Sequence, residues 1–338
     1  MPRKRARTNV HATQSDDFLA DVARAYYERQ LTQEEVAVQF GVSRSQVSRY
    51  LQEAHARDIV QIRIVPAGSH DSESEAALLE AFPHLTEVIV ARVFGDGPDT
   101  VRWTVARAAA RFLDRTVGSG MTVCFGAGRT LANTVELLSP DRVHNVAIAQ
   151  AMGNAGHEGL AIDYNAIASV AATAFGGRAY QINAPAILGP GMNAADLETS
   201  NPQIRESLRV ARSADLYVLG VGSIVGDVIY VQTGLLTFDD LASLRSAGAV
   251  GDICGNFFDA RGRACPGPFQ DRLVGIRLQD LRRARTVVAC AAGLEKVPAL
   301  AGALAGRLVN VLITDEQTAR GMLELLGPKR RELFAALP

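Results

Sequence analysis

The sequence predicts a two-part α/β protein: a small helical unit followed by a larger, open, mostly parallel α/β domain. Three observations predict it. Within residues 16–56 apolar side chains recur at helical spacing between strong cap signals. From residue 86 onward short, near-continuous apolar runs alternate with helical stretches, the pattern of strands buried on both faces and joined by helical crossovers. The length of 338 residues exceeds the roughly 100–200 that one domain commonly holds. With 48% hydrophobic and 21% charged residues, the composition excludes a wholly disordered, collagen-like or repeat-array chain.

The helical unit reads element by element. In DDFLADVARAYYERQ, residues 16–30, Phe18, Leu19, Val22, Ala25 and Tyr26 form one stripe, and Asp16 and Asp17 favour the positive helix start. Thr32 caps a second helix, QEEVAVQF, with Glu35 completing a capping box and Gly41 ending it. Ser43 then caps SRSQVSRYLQEAHAR, whose Val47, Tyr50, Leu51 and Ala54 face inward. A tight glycine turn between two helices, the second opening on polar and basic side chains, is a helix-turn-helix with a recognition helix. Its outward residues, Arg44, Ser45, Gln46, Ser48 and Arg49, suit base edges and phosphates: arginine bonds guanine bidentately, glutamine adenine, and serine either. The same residues would also serve a solvated helix face. The strand-like IVQIRIV, residues 59–65, either forms a wing beside the helices or begins the next domain.

Charge sharpens the division. Net charge is −1, yet residues 1–10 carry Arg3, Lys4, Arg5 and Arg7 and no acid, an arm that either contacts DNA phosphate or minor groove or only solubilises the terminus. The expected organisation is an arm over 1–15, the helix-turn-helix over 16–65, a linker and lead-in helix over 66–85, and an effector-binding and oligomerisation domain over 86–338. Ser72 and Glu75 suggest a capping box for the lead-in helix. No long apolar run predicts a membrane span, and the basic start has no apolar stretch behind it to make a secretory signal. Cys124, Cys254, Cys265 and Cys290 lie far apart without a CxxC pair, so neither a metal site nor a disulfide framework is expected, and the reducing cytoplasm is the expected compartment.

In the larger domain the strand candidates are EVIVAR, MTVCF, NVAIAQA, DLYVLGVG, RLVGIRL, RTVVACAA and LVNVLIT. Ligands of such sheets bind beyond the carboxyl ends of the strands, which directs attention to four loops. In GAGRT, Gly126 and Gly128 allow close backbone approach while Arg129 and Thr130 add donors at a helix start, a small phosphate cradle or a purely structural turn. QAMGNAGHEG offers Gln150, Asn154 and a surface His157, or is an ordinary turn. GAVGDICGNFFDARG, too glycine-broken for a regular element, presents Asp252, Asn256 and Asp259, groups that match hydroxyls which both donate and accept, or that merely cap turns. Lys296, one of three lysines among 35 basic residues, stands in a first helical turn where a cation opposes the dipole, so an anionic ligand is expected there.

Taken together, the helix-turn-helix, GAGRT, GDICGNFFDARG, AAGLEKVPALAGAL and NVLITDEQTARGML resemble the SorC family of bacterial sugar-responsive transcriptional regulators, a likeness that covers nearly the whole chain. The resemblance implies an effector domain similar to the glucosamine-6-phosphate deaminase and ribose-phosphate isomerase fold, a phosphorylated sugar or polyol effector, double-stranded operator DNA as partner, and a homotetramer. It implies that Gly126 to Thr130 form the effector phosphate loop and that Asp252, Asn256, Asp259 and Lys296 line the sugar pocket. Ala127 stands where the family often has an aromatic residue or a further glycine, and the basic arm has no family counterpart.

Three functions compete on these residues, and one of them, a constitutive DNA-binding or architectural protein without a ligand, leaves the large α/β domain with its four glycine-rich loops unexplained. A ligand-gated regulator gives both halves of the chain a role. A sugar-phosphate isomerase or deaminase would use the two carboxylates and the lysine for acid–base chemistry, but needs no DNA-reading head. No nucleophile is paired with a histidine base, and His11, His55, His70 and His84 fall outside the glycine loops. The sequence therefore predicts a regulator without catalytic residues, cofactor or metal.

Overall fold

The computed structural model describes residues 15–335 apart from 28, 30, 58, 61–69, 96, 143, 155–163, 226–228 and 268. The basic arm, the strand-like run from residue 61 onward and His157 lie outside the described residues. The chain divides into two compact units, Met1–Ala67 and Gly68–Pro338.

In the first unit, α1 (Asp16–Tyr27), α2 (Gln33–Phe40) and α3 (Arg44–Ala56) pack around Leu19, Val22, Val36, Val47, Leu51 and Ala54. Local chemistry sets the boundaries. Thr32 and Glu35 form the expected capping box, and Gly41 closes α2 at φ 64, a left-handed conformation that glycine adopts without strain. Ser43 caps α3, and Gln46 returns the bond as the other half of a second box. Phe18 seals the base edge-on against Phe40 and Tyr50.

The second unit opens with α4 (Ser72–Ala81) and β1 (Glu87–Ala91), then α5 (Pro98–Thr116), β2 (Thr122–Phe125), α6 (Arg129–Glu136), β3 (Ala147–Gln150), α7 (Tyr164–Ala174) and β4 (Arg178–Tyr180). It continues through α8 (Ala194–Ser200), α9 (Pro202–Arg212), β5 (Leu216–Leu219), β6 (Gly222–Ser223), α10 (Ile229–Gln232), α11 (Phe238–Ser246), β7 (Ala249–Ile253) and β8 (Asn256–Asp259). It ends with α12 (Leu278–Arg283), β9 (Thr286–Cys290), α13 (Val297–Ala305), β10 (Val311–Asp315) and α14 (Glu316–Ala335). Seven strands form one sheet in the order β1-β10-β9-β5-β2-β3-β4, every pairing parallel. Because neighbours all run the same way, their carboxyl ends gather at one edge. No helix among the described residues is long and apolar enough to cross a membrane.

Four expectations change. RLVGIRL is not a strand: its backbone partners are loops, with Val274 N donating to Ala186 O at 2.8 Å and Ile276 N to Ala151 O at 2.9 Å. The glycine-broken 248–262 stretch is largely regular, for β7 and β8 form an antiparallel hairpin that joins β6 in a separate three-stranded sheet. Its turn, Cys254–Gly255, has φ of 50 and 73, the left-handed pair that a two-residue hairpin requires. The box predicted at Ser72 does not form: Asp71 precedes the helix, Ser74 Oγ donates to Asp71, and Glu75 accepts Val90 N–H instead. Finally, α1 ends at Tyr27, short of residue 30.

Candidate functional site

A cavity of about 420 Å³ lies over the carboxyl ends of β2, β5, β9 and β10. The loops leaving those strands supply its floor through Ala127–Leu131, Gly220–Ser223 and Ala291–Lys296. Asp252 and Cys254 of the β7–β8 hairpin, Tyr164 at the start of α7, and Tyr230 and Gln232 of α10 add to its wall, as does Arg102 of α5.

One side is built for an anion. Gly128 has φ 135, and α6 begins directly after it with no side-chain cap, leaving the first helical N–H groups at the cavity and the helix dipole favouring negative charge. Arg129 and Thr130 line the wall beside them, and Lys296 extends from the Ala291–Lys296 loop. Burial pushes the Lys296 ammonium below the usual lysine range; the Asp252 carboxylate opposes that shift and Arg129 adds to it.

The other side is built for hydroxyls. Asp252 on β7 pairs with Gly222 on β6, and an added Cβ at Gly222 would lie 1.9 Å from Asp252 Oδ1. Glycine at 222 is therefore what makes room for the carboxylate. Asp252 Oδ2 accepts Tyr230 Oη–H at 2.8 Å and Gly255 N–H at 2.9 Å. Burial raises the Asp252 carboxyl above the usual range, outweighing these two bonds and the Lys296 charge. Burial and the same carboxylate raise Tyr164 and Tyr230, which stay neutral donors. Among the described residues no group of three or more His, Cys, Asp or Glu side chains could hold a metal ion.

The structure thus brings Gly128, Arg129, Thr130, Asp252 and Lys296 to one cavity. The other designated residues stand apart from it. Gly126 lies where an added Cβ would meet Leu219 at 3.1 Å and Cys254 Sγ at 3.3 Å, a place of close packing. Gln150 is buried, accepts Ile182 N–H at 3.0 Å and donates to Asn154 Oδ1 at 3.3 Å. Asn154 in turn pairs its backbone with Ala184 and Ala186. The Asn256 amide donates to the carbonyls of Ile253, Cys254 and Ile276 and locks the hairpin turn. Asp259 accepts Arg261 and Arg263 N–H groups and pairs with the Arg263 guanidinium. Tyr164, Tyr230 and Arg102 join the wall unannounced. Arg102 is the fifth residue of α5 and pairs there with Asp99; neither it nor Tyr230 carries a signal in the sequence, because only the fold sets them at the cavity.

On the first unit, Arg44, Ser45 and Arg49 are exposed and Gln46 and Ser48 half-buried. Arg44 Nε lies 3.1 Å from Glu34, Ser45 Oγ 3.0 Å from Ser43 Oγ, and Gln46 Oε1 accepts Ser43 N–H at 2.9 Å.

A family model described as "Putative sugar-binding domain" matches residues 67–324. The deoxyribonucleoside regulator of Bacillus subtilis (strain 168) is 30% identical over 305 residues, covering 90% of this chain and 96% of that protein. The sorbitol operon regulator of Klebsiella pneumoniae is 27% identical over 328 residues, covering 92% of this chain and 99% of that protein. The crystal structure of the full-length sorbitol operon regulator SorC from Klebsiella pneumoniae matches with a TM-score of 0.70 at 24% identity, over 92% of this chain and 99% of that one. A cavity at the sheet edge lined by Arg129, Lys296, Asp252 and Tyr230, in a unit preceded by a short helical one and with relatives named as regulators over nearly the whole chain, defines a transcriptional regulator with a sugar-binding domain. The chain belongs to the SorC family of sugar-binding transcriptional regulators.

Proposed function

We propose that the chain is a DNA-binding regulator of carbohydrate metabolism whose operator affinity changes when a phosphorylated sugar or polyol fills the cavity. The observation that carries this reading is the pairing, in one cavity, of an uncapped helix start flanked by Arg129 and Lys296 with the buried Asp252 and Tyr230. The first pair of cations suits a phosphate, and the carboxyl–phenol pair suits hydroxyls that both donate and accept. In this reading α3 of a helix-turn-helix enters the major groove with Arg44, Ser45, Ser48 and Arg49, while Gln46 divides its amide between the cap and a base. The protein works as a cytoplasmic homotetramer, so that ligand-induced repacking alters the spacing of paired heads, and it turns over no substrate.

Fluorescence anisotropy on labelled DNA from upstream of its own gene, at fixed salt and with a panel of sugar phosphates, tests the reading. The expected result is specific binding that one sugar phosphate alters. Arg44→Ala or Arg49→Ala should each weaken operator binding by about 1–3 kcal/mol if a base contact is lost. Arg129→Ala and Lys296→Ala should keep ligand-free operator binding and lose the response. Specific binding that no sugar phosphate changes would overturn the sensor.

A further inference from the structure

The cavity wall and the first turn of α14 are one hydrogen-bonded piece. Thr314 Oγ1 donates to Ala291 O at 2.7 Å, and Gly293 N–H reaches Thr318 Oγ1 at 2.8 Å and Asp315 Oδ2 at 3.2 Å. Asp315 Oδ1 accepts the N–H groups of Gln317 and Thr318, each at 3.0 Å. Thr314, Asp315 and Thr318 are buried, so water does not compete for these bonds and the Ala291–Lys296 loop is held at a fixed offset from α14. Asp315 and Gln317 themselves line the cavity.

Within the next turn of the same helix, Arg320 Nη2 lies 3.6 Å from Asp71 Oδ2 and 3.6 Å from Glu316 Oε2. Asp71 precedes α4, which packs along α14. Its N–H donates to Val90 O at 2.8 Å, and neighbouring His70 bridges Ala91. Burial works against the Asp71 charge, but the Ser74 hydroxyl and N–H and the charges of Arg320 and Arg92 hold it below the usual carboxylate range. The segment His70–Asp71 stands near the start of the second unit, which begins at Gly68 and is joined there to the helical unit.

The Arg320 side chain is 63% exposed and that of Asp71 only 7%. An ion pair with one partner so exposed adds little to stability, which leaves its position as the notable property: it ties the helix that carries part of the cavity wall to the point where the chain leaves for the other unit. We infer that Arg320 is a positioning residue for the response, so that a ligand which reorders the Ala291–Lys296 loop moves α14, and through the Arg320–Asp71 pair the His70–Asp71 segment. The inference rests on the sensor reading above and names its route.

The test uses the full chain with Arg320→Ala, Arg320→Lys and, on the cavity side, Thr318→Val. Sorbitol 6-phosphate, fructose 6-phosphate and ribose 5-phosphate serve as probes, with binding read by thermal shift and operator affinity by anisotropy. Arg320→Ala should leave probe binding and ligand-free operator affinity within about twofold, and cut the probe-induced change in operator affinity by about fivefold or more, with Arg320→Lys restoring most of it. An unchanged response in Arg320→Ala overturns the inference. A second arm needs no ligand: amide hydrogen exchange at residues 70–76 should quicken by about threefold or more in Thr318→Val, and this acceleration should vanish when Arg320→Ala is added. Exchange there that ignores Thr318→Val, or that quickens equally in both backgrounds, also overturns it. If no probe alters operator binding by the wild type, the sensor reading fails in the first arm while the second still decides whether wall and segment are coupled.

Discussion

At the scale of single residues, surroundings decide what a charge can do. Burial pushes Lys296 down and Asp252 up, each opposing the other's shift. The sign for ligand binding follows. The ammonium is lost at lower pH than in an ordinary lysine, so the affinity for a phosphorylated probe should hold from above the phosphate's second pKa of about 6 and then fall as pH rises through the lowered Lys296 value. Lys296→Met should lose about tenfold or more at neutral pH, the worth of one charge-assisted hydrogen bond, and should lack the decline. Titration calorimetry at neutral and alkaline pH checks both, and parallel profiles for the two proteins would contradict the assignment. Lys296 and Arg129 are legible in sequence because each places a cation in a first helical turn, against a local rule. The partners of Gln150 and Asn256 are not, because their amides meet the backbone of Ile182 and Ile276, segments that only the fold brings near.

Among the elements, what depends on neighbours in sequence is legible and what depends on contact is not. The bounds of α2 and α3 follow from Thr32, Gly41 and Ser43, whose effect reaches three residues along the chain. The β7–β8 hairpin hides behind its glycines, which read as breakers. In the structure Gly251 is needed because an added Cβ would lie 2.3 Å from Ala299 Cβ, and Gly255 because its φ is 73. RLVGIRL has strand composition, but its backbone is bonded to loops. Ser43 and Gln46 share the cap of α3. Ser43→Ala should lower the stability of the helical unit by about 1 kcal/mol, seen as an earlier thermal transition, because the Gln46 N–H loses the Ser43 Oγ that accepts it, while Gln46 Oε1 keeps only the residue-43 backbone N–H. Gln46→Ala should match it in stability and weaken operator binding further, since it also removes an amide from the reading face. Equal operator affinities for the two variants at a temperature where both are folded would leave Gln46 as a cap alone.

For the whole molecule, the α/β class and the division near residue 67 follow from the switch in periodicity, whereas the order of the strands does not. β5 sits between β9 and β2, and nothing in these near-identical apolar runs says which two will flank it. That order matters to function because it gathers the loops after β2, β5 and β9 around one cavity while the helical unit remains a separate compact body. Two such units linked in one chain make a thermodynamic prediction. A phosphorylated probe at about 100 times its Kd should stabilise the unit that binds it by about 2.7 kcal/mol, raising the calorimetric transition of the larger unit, while operator DNA should raise that of the helical unit. If each ligand acted on its own unit alone, the two shifts would be independent. A regulator requires more, because coupling between sites is reciprocal: the probe that changes operator affinity by a given factor must have its own affinity changed by operator DNA by the same factor and in the same direction. Titrating the probe with and without operator measures that second factor. Equality of the two factors is required of one linked equilibrium, and a probe that changes operator affinity while its own affinity ignores operator DNA would place its action outside that equilibrium.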